Sequence, residues 1–272
     1  MSPRHKPDAM HPIQRGQAWG RRTARRCFAI ATSVLSRKLG EPANTIVAAR
    51  GADAMVNRPS RMRRAAMPGA LLATISLCII GVLFIDRWLA RSLADVPAPV
   101  MGVAAVLGAL GTPALWIVSA TMCYAQFELT PRKRLEANQA LFVLLSTASA
   151  ILCAIALQIV LCRSAPDSYI QTGAYSFMVD GRGCPVSGSF PSLHAAVAAA
   201  LAMACSVMMP IYWPTFAALA FLVGASRTVV GGHFFSDVVA GFGIGILAAL
   251  AVNSIFSRLR VPIRRGGRRI WS

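Results

Sequence analysis

Acid is scarce in this chain. Only 10 Asp and Glu stand against 28 Lys and Arg in 272 residues, and charged side chains make up 14% of the total. Soluble domains carry about 25%. The shortage excludes an ordinary soluble globule, and the 56% apolar content excludes a disordered chain. Cysteine is sparse and scattered, at Cys27, Cys78, Cys123, Cys153, Cys162, Cys184 and Cys205. That pattern excludes a disulfide-dense secreted module. No Cys-x-x-Cys pair occurs, so zinc and iron–sulfur sites are not expected, and neither is any other metal or cofactor. Internal repeats and low-complexity segments are missing too. A cleavable signal peptide is not expected, because the first apolar run starts far from Met1.

Long apolar runs are what the chain has. A membrane-spanning helix needs about 20 mostly apolar residues. Six stretches qualify: about Gly69–Leu89, Val100–Tyr124, Ala140–Cys162, Leu193–Met209, Thr215–Val230 and Phe234–Phe256. The fourth and fifth are short, and Pro210 to Pro214 between them reads as a tight turn. Six runs with so little charge argue against the buried helices of a soluble protein. The expected fold class is all-α, a six-transmembrane helical bundle over 68–257. A basic arm precedes it at 1–67 and a basic tail follows at 258–272.

Lys and Arg set the orientation. All but five of the 28 lie in the arm, in the tail, or in the loop at Arg132, Lys133 and Arg134. An even number of spans puts those three regions on one side, so both termini are expected in the cytoplasm. Arg87, Arg91, Arg163, Arg182 and Arg227 fall at the opposite face. This segregation speaks for a bilayer partner and against nucleic acid. Within the arm, Arg21–Gly40 is Arg-rich and acid-poor. It suits a transit peptide or a surface helix on anionic lipid, but a solvated, disordered cytoplasmic arm is the favoured reading. High Ala and Arg usage points to a bacterial inner membrane.

Ionisable groups near hydrocarbon are costly, so they default to functional candidates. Two short stretches hold them. Phe190-Pro191-Ser192-Leu193-His194 opens the fourth span, and Ser226 to Asp237 bridges the fifth and sixth. The span count puts both at the same extracytoplasmic surface. His233 and Asp237 are four apart, so on a helix they share a face, and the carboxylate would fix the imidazole tautomer. Arg227 offers a forked cation for phosphate oxygens. Ser192 suits a helix cap, and the N–H groups of that first turn suit an anion. Two His and one Arg at a membrane edge fit phosphoryl transfer without metal, one His attacking phosphorus and the other protonating the departing oxygen. Asp86, Arg87 and Trp88 read as interface anchors of the first span. Gly241, Gly243 and Gly245 read as small residues for close helix packing.

Pro191-Ser192-Leu193-His194 and Ser226-Arg227-(five residues)-His233-(three residues)-Asp237 resemble the second and third signature motifs of the type 2 phosphatidic acid phosphatase (PAP2) superfamily. The resemblance spans about Gly69 to Phe256. It implies a covalent phosphohistidine at His233, oriented by Asp237, with His194 protonating the leaving group. It implies phosphate ligation by Arg227 and Ser192. The first family motif, Lys, six residues and Arg-Pro, is altered. Gln158 stands for the Lys and Ala165 for the Arg, and only Pro166 is kept. Arg163 and Arg182 are the candidate replacements as phosphate ligands.

The resulting expectation is an integral membrane, metal-independent phosphatase of lipid phosphates or pyrophosphates, with its site facing the periplasm. Candidate substrates are an isoprenyl pyrophosphate, phosphatidic acid or phosphatidylglycerol phosphate, and a glycolipid phosphate such as lipid A. The alternatives are a phosphotransferase on the same scaffold and a catalytically silent lipid-binding protein. Cys162 and Cys184 either pair, in an oxidising compartment, or stay free thiols.

Overall fold

The computed structural model describes residues 61–178 and 188–264. They form nine helices: α1 (Arg61–Ile80), α2 (Asp86–Ser92), α3 (Ala98–Ala109), α4 (Pro113–Leu129), α5 (Arg134–Val160), α6 (Pro166–Thr172), α7 (Leu193–Met208), α8 (Trp213–Val229) and α9 (Phe235–Arg258). A π-helical turn, Gly81–Ile85, joins α1 to α2, and a 3₁₀ turn, Pro210–Tyr212, leads into α8. Two two-residue strands, β1 (Cys162–Arg163) and β2 (Phe177–Met178), pair antiparallel, with Arg163 opposite Phe177. Four helices carry Pro in their first two positions, at Pro99, Pro113, Pro166 and Pro214. There the missing N–H has no intrahelical partner to lose, and the fixed φ suits the helix.

Among the described residues, four segments are long and apolar enough to cross a membrane: Met67–Ser92, Ala98–Leu129, Arg134–Val160 and Phe235–Arg258. The helices α7 and α8 are shorter, at 16 and 17 residues. The stretch Val100–Tyr124, expected as one span, is broken between α3 and α4 at Leu110–Thr112. Pro113 is the cause, since it cannot donate back into α3 and instead starts a new helix. Many large apolar side chains point outward, among them Leu72, Phe84, Val106, Leu152 and Phe221. Outward apolar faces suit a bundle whose surroundings are lipid tails.

Helices α7 and α9 form the centre. They pack on each other and both pack on α5; α8 lies against α7, and α1 against α9. Small residues permit this. A Cβ on Gly241 would lie 2.4 Å from the Ser192 carbonyl, and one on Gly245 would lie 2.3 Å from that of Ala196. The core between α5, α7 and α9 is largely alanine, with Ala150, Ala154, Ala196 and Ala200 wholly buried. At the end far from the motifs, Phe142 and Phe256 stack edge to face at 5.4 Å. Asn138 and Gln139 there donate to the carbonyls of Pro262 and Ile263, holding the chain that leaves α9.

Candidate active site

The two motif stretches are tied through their backbones. The Ser192 N–H donates to the Asp237 carbonyl at 3.0 Å, joining the start of α7 to the first turn of α9. Ser192 is the N-cap of α7, and its Oγ accepts from the Ala195 N–H at 3.5 Å. One of the first-turn donors is thereby used, and the remaining N–H groups of the turn that carries His194 point out of the helix end. Gly111, in the break between α3 and α4, faces His194: a Cβ on it would lie 3.0 Å from His194 Cβ.

His233 sits in the loop between α8 and α9. Gly231 makes the turn with φ +77°, a left-handed conformation that favours glycine. The His233 N–H donates to the Arg227 carbonyl at 3.3 Å. Its ring Nδ1 lies 2.8 Å from the Ser189 carbonyl. A carbonyl only accepts, so Nδ1 carries the hydrogen and Nε2 is left with its lone pair. Burial pushes the His233 pKa down to about 4, aided by the positive field of Arg227 and by His194, and opposed by the Ser189 hydrogen bond. The ring is therefore neutral at pH 7, with one nucleophilic nitrogen. His194 and Arg227 both stand within electrostatic reach of it.

Arg227 closes the group from the last turn of α8. Its Nε is buried without a hydrogen-bond partner. Among the described residues no carboxylate pairs with its fork. The fork is framed by glycines: a Cβ on Gly108 would lie 3.1 Å from Nη1, and one on Gly232 would lie 3.2 Å from Nη2. A buried donor without a partner is costly, and here it stands beside two imidazoles. An acceptor oxygen placed there would satisfy it.

Arg163 is placed differently from the expected phosphate ligand. It is 2% exposed, and both ends of its fork are spent. Nη1 donates to Asp237 Oδ1 at 2.6 Å and to Ser236 Oγ at 2.7 Å, and Nη2 donates to Asp86 Oδ2 at 2.8 Å. The rings of Phe234, Phe177 and Tyr175 enclose the guanidinium, with centroids 4.1, 4.6 and 4.9 Å from Cζ. Burial alone would lower the Arg163 pKa, but Asp237 and Asp86 carry it above its ordinary value. Asp86 is correspondingly no interface anchor. It is 1% exposed and also accepts from the Ser236 N–H at 2.9 Å and from the Tyr175 hydroxyl at 3.3 Å. Burial, with Asp86 adding to it, raises the Tyr175 pKa to about 12 against the pull of Arg163, so this hydroxyl stays a donor.

Both oxygens of Asp237 are engaged by groups other than the His233 ring. Its Oδ2 accepts from the Phe234 N–H at 2.8 Å, which closes the N-terminus of α9, and its Oδ1 meets Arg163. The four-residue spacing expected to pair it with His233 holds only inside a helix. Phe234 is the N-cap, so His233 lies outside α9. The group that orients His233 is the Ser189 carbonyl, a backbone atom that no side-chain pattern advertises. Ser189 is held in turn by its N–H to the Arg163 carbonyl at 2.9 Å and its Oγ to the Ser164 carbonyl at 3.0 Å.

Ser192, His194, Arg227 and His233 thus come together, while Arg163 and Asp237 form a separate buried clamp with Asp86. Gln158 carries no charge into the site; its Nε2 donates to the Pro191 carbonyl at 2.9 Å, just before α7. Ala165 is the N-cap of α6. Arg182 and Cys184 lie outside the described residues, as do the arm up to residue 60 and the tail from residue 265. Cys162 is disulfide-bonded.

This arrangement has relatives. A sequence model of the PAP2 superfamily matches residues 139–260. The chain is 30% identical over 204 residues to a lipid A 1-phosphatase of Rhizobium johnstonii, covering 69% of this chain and 80% of that protein. It is 33% identical over 81 residues to an acid phosphatase of Zymomonas mobilis, covering 29% of this chain and 31% of that one. The fold is similar to the crystal structure of a transmembrane PAP2-type phosphatidylglycerolphosphate phosphatase from Bacillus subtilis. That match has a TM-score of 0.52 and 21% identity, over 71% of this chain and 96% of the other. With the motif residues gathered at one end of an apolar helical bundle, the match in sequence and the match in fold agree, and the chain belongs to the PAP2 superfamily.

Proposed function

We propose that the chain removes a phosphate from a membrane lipid through a phosphohistidine at His233. In the first step Nε2 attacks phosphorus and the bond from phosphorus to the leaving oxygen breaks. His194, in its imidazolium form, gives that oxygen a proton. In the second step water attacks the phosphohistidine, His194 takes a proton from the water, and inorganic phosphate leaves with Nε2 restored. The Arg227 fork and the first-turn N–H groups of α7 hold the phosphoryl oxygens in both steps. Asp237 and Arg163 act as positioning residues, and no metal enters either step. The observation that carries this reading is the unpartnered Arg227 Nε beside a His233 whose Nδ1 is pinned by Ser189.

The six apolar runs, with most Lys and Arg on one side, support six spans with both termini in the cytoplasm. The site then faces the periplasm of a bacterial inner membrane, and lipid enters with its chains in the bilayer. The 30% identity to a lipid A 1-phosphatase directs the substrate choice to a phosphorylated glycolipid. The test is phosphate release from lipid phosphates by the purified protein in detergent, without added metal. His233→Ala is expected to lower kcat/KM by about 10⁴-fold or more, and quenching the wild type in alkali should trap a phosphoenzyme that is stable there and is lost on acidification. Turnover that survives His233→Ala would remove the nucleophile from this scheme. Phosphate recovered only on a second lipid would convert it to a transferase.

A further inference from the structure

A small cavity of about 130 Å³ opens beside the nucleophile, and His233 is part of its wall. Leu93, Met101 and Ile170 make its sides apolar, and Asp167 and Gln171 from α6 contribute polar side chains. Those two are four residues apart within α6, so they project from one face. Asp167 reaches close to the catalytic loop: a Cβ on Gly231, two residues before His233, would lie 2.3 Å from Asp167 Oδ1. Among the described residues, Asp167 has no hydrogen bond and no ion pair.

A free carboxylate beside a phosphate site is electrostatically unfavourable for the phosphate alone. Its position makes chemical sense if the group beyond the scissile bond brings hydrogen-bond donors. We propose that Asp167 and Gln171 form the subsite for the leaving group, and that this group is a sugar carrying hydroxyl or amide N–H donors. The inference rests on the phosphatase reading above and adds to it the residues that select the lipid. Asp167 accepts from a ring hydroxyl or an amide N–H. Gln171 has both a donor and an acceptor to offer the same ring. Leu93, Met101 and Ile170 cover its apolar faces. A diacylglycerol leaving group supplies ester carbonyls, which only accept, and gains nothing from the carboxylate. A prenyl pyrophosphate brings a second phosphate, which Asp167 repels.

The experiment compares three substrates with the full chain in detergent micelles: an acylated glucosamine 1-phosphate, phosphatidic acid and farnesyl pyrophosphate. For each, kcat/KM is measured in the wild type, in Asp167→Asn and in Gln171→Ala. Size-exclusion elution confirms that each variant folds, and Gln171→Ala carries the test if Asp167→Asn does not. The ratio of glycolipid to phosphatidic acid should fall by about tenfold in Asp167→Asn, the size expected for one hydrogen bond to a charged group. The ratio of pyrophosphate to phosphatidic acid should rise in the same variant and stay constant in Gln171→Ala. Ratios that do not change in either variant overturn the subsite while leaving the phosphatase standing. A wild type that releases phosphate from none of the three overturns the underlying reading, and the subsite falls with it.

Discussion

Arg163 Nη1 and Asp237 Oδ1 stand 2.6 Å apart, and both side chains are withdrawn from solvent. The other nitrogen of the fork holds Asp86 at 2.8 Å. One guanidinium therefore joins the start of α2 to the start of α9, and its own backbone carbonyl anchors the Ser189 that orients His233. Removing the cation would leave two buried carboxylates without it. Breaking a buried pair in this way costs about 3–5 kcal/mol. Arg163→Met is expected to lower the thermal unfolding temperature in detergent sharply. Arg163→Lys should fall between it and the wild type, because an ammonium lacks the planar fork that serves two partners. Adding Asp86→Asn and Asp237→Asn to Arg163→Met should recover part of the loss, which a thermodynamic cycle through the single and combined variants reads directly. A melting temperature unmoved by Arg163→Met would show that the clamp holds nothing.

The buried imidazole gives the pH dependence a definite sign. Folding lowers the His233 pKa from 6.5 to about 4. The folded protein thus binds this proton more weakly than the unfolded chain does. The contribution to stability is complete above about pH 6.5 and is lost as pH falls towards 4. Attack needs the neutral ring, so the acid limb of kcat/KM should have its midpoint near 4, while loss of the His194 proton sets the alkaline limb. The lipid phosphate has its own ionisation near pH 6, and titration of the free lipid allows it to be divided out. An acid limb at 6.5 that tracks enzyme rather than substrate would mean that the His233 ring is solvated, contrary to its place against Ser189.

Much of this was readable from the chain because the chemistry stands out against an apolar background. Ser192, His194, Arg227 and His233 are rare polar groups beside long hydrophobic runs, and each reaches the site through local structure alone: a cap, a first turn, a last turn and a glycine-made loop. The clamp was harder to read. Asp86 lies 77 positions from Arg163 in sequence and 150 from Ser236, and nothing local to it marks those partners. Its presence as an acid at the end of an apolar run was the available signal. That Asp237 bonds Phe234 and Arg163 instead of His233 depends on one residue of helix boundary, the least certain feature of any sequence-based reading. The break before α4 was visible as Gly111-Thr112-Pro113, yet the apolar run continues across it and masks the stop.

That break has a consequence that two glycines of one helix can test. In α3, a methyl added at Gly108 would sit 3.1 Å from Arg227 Nη1 and 3.2 Å from Ser226 Oγ, whereas one added at Gly102 meets nothing within 4 Å. Each Gly→Ala change favours the helix by about 1 kcal/mol through propensity alone. Gly102→Ala is therefore the reference for stability, and the difference between the two variants isolates the contact. Gly108→Ala is expected to push the guanidinium off its position and lower kcat/KM by about tenfold relative to Gly102→Ala, since catalytic alignment tolerates little displacement. Its unfolding temperature should stay at or above that of the wild type, because the arginine can swing while the helix gains. Arg227→Lys should lose at least as much activity, through the missing bidentate geometry. Equal activity in the two alanine variants would mean that the glycine at 108 does not shape the phosphate grip.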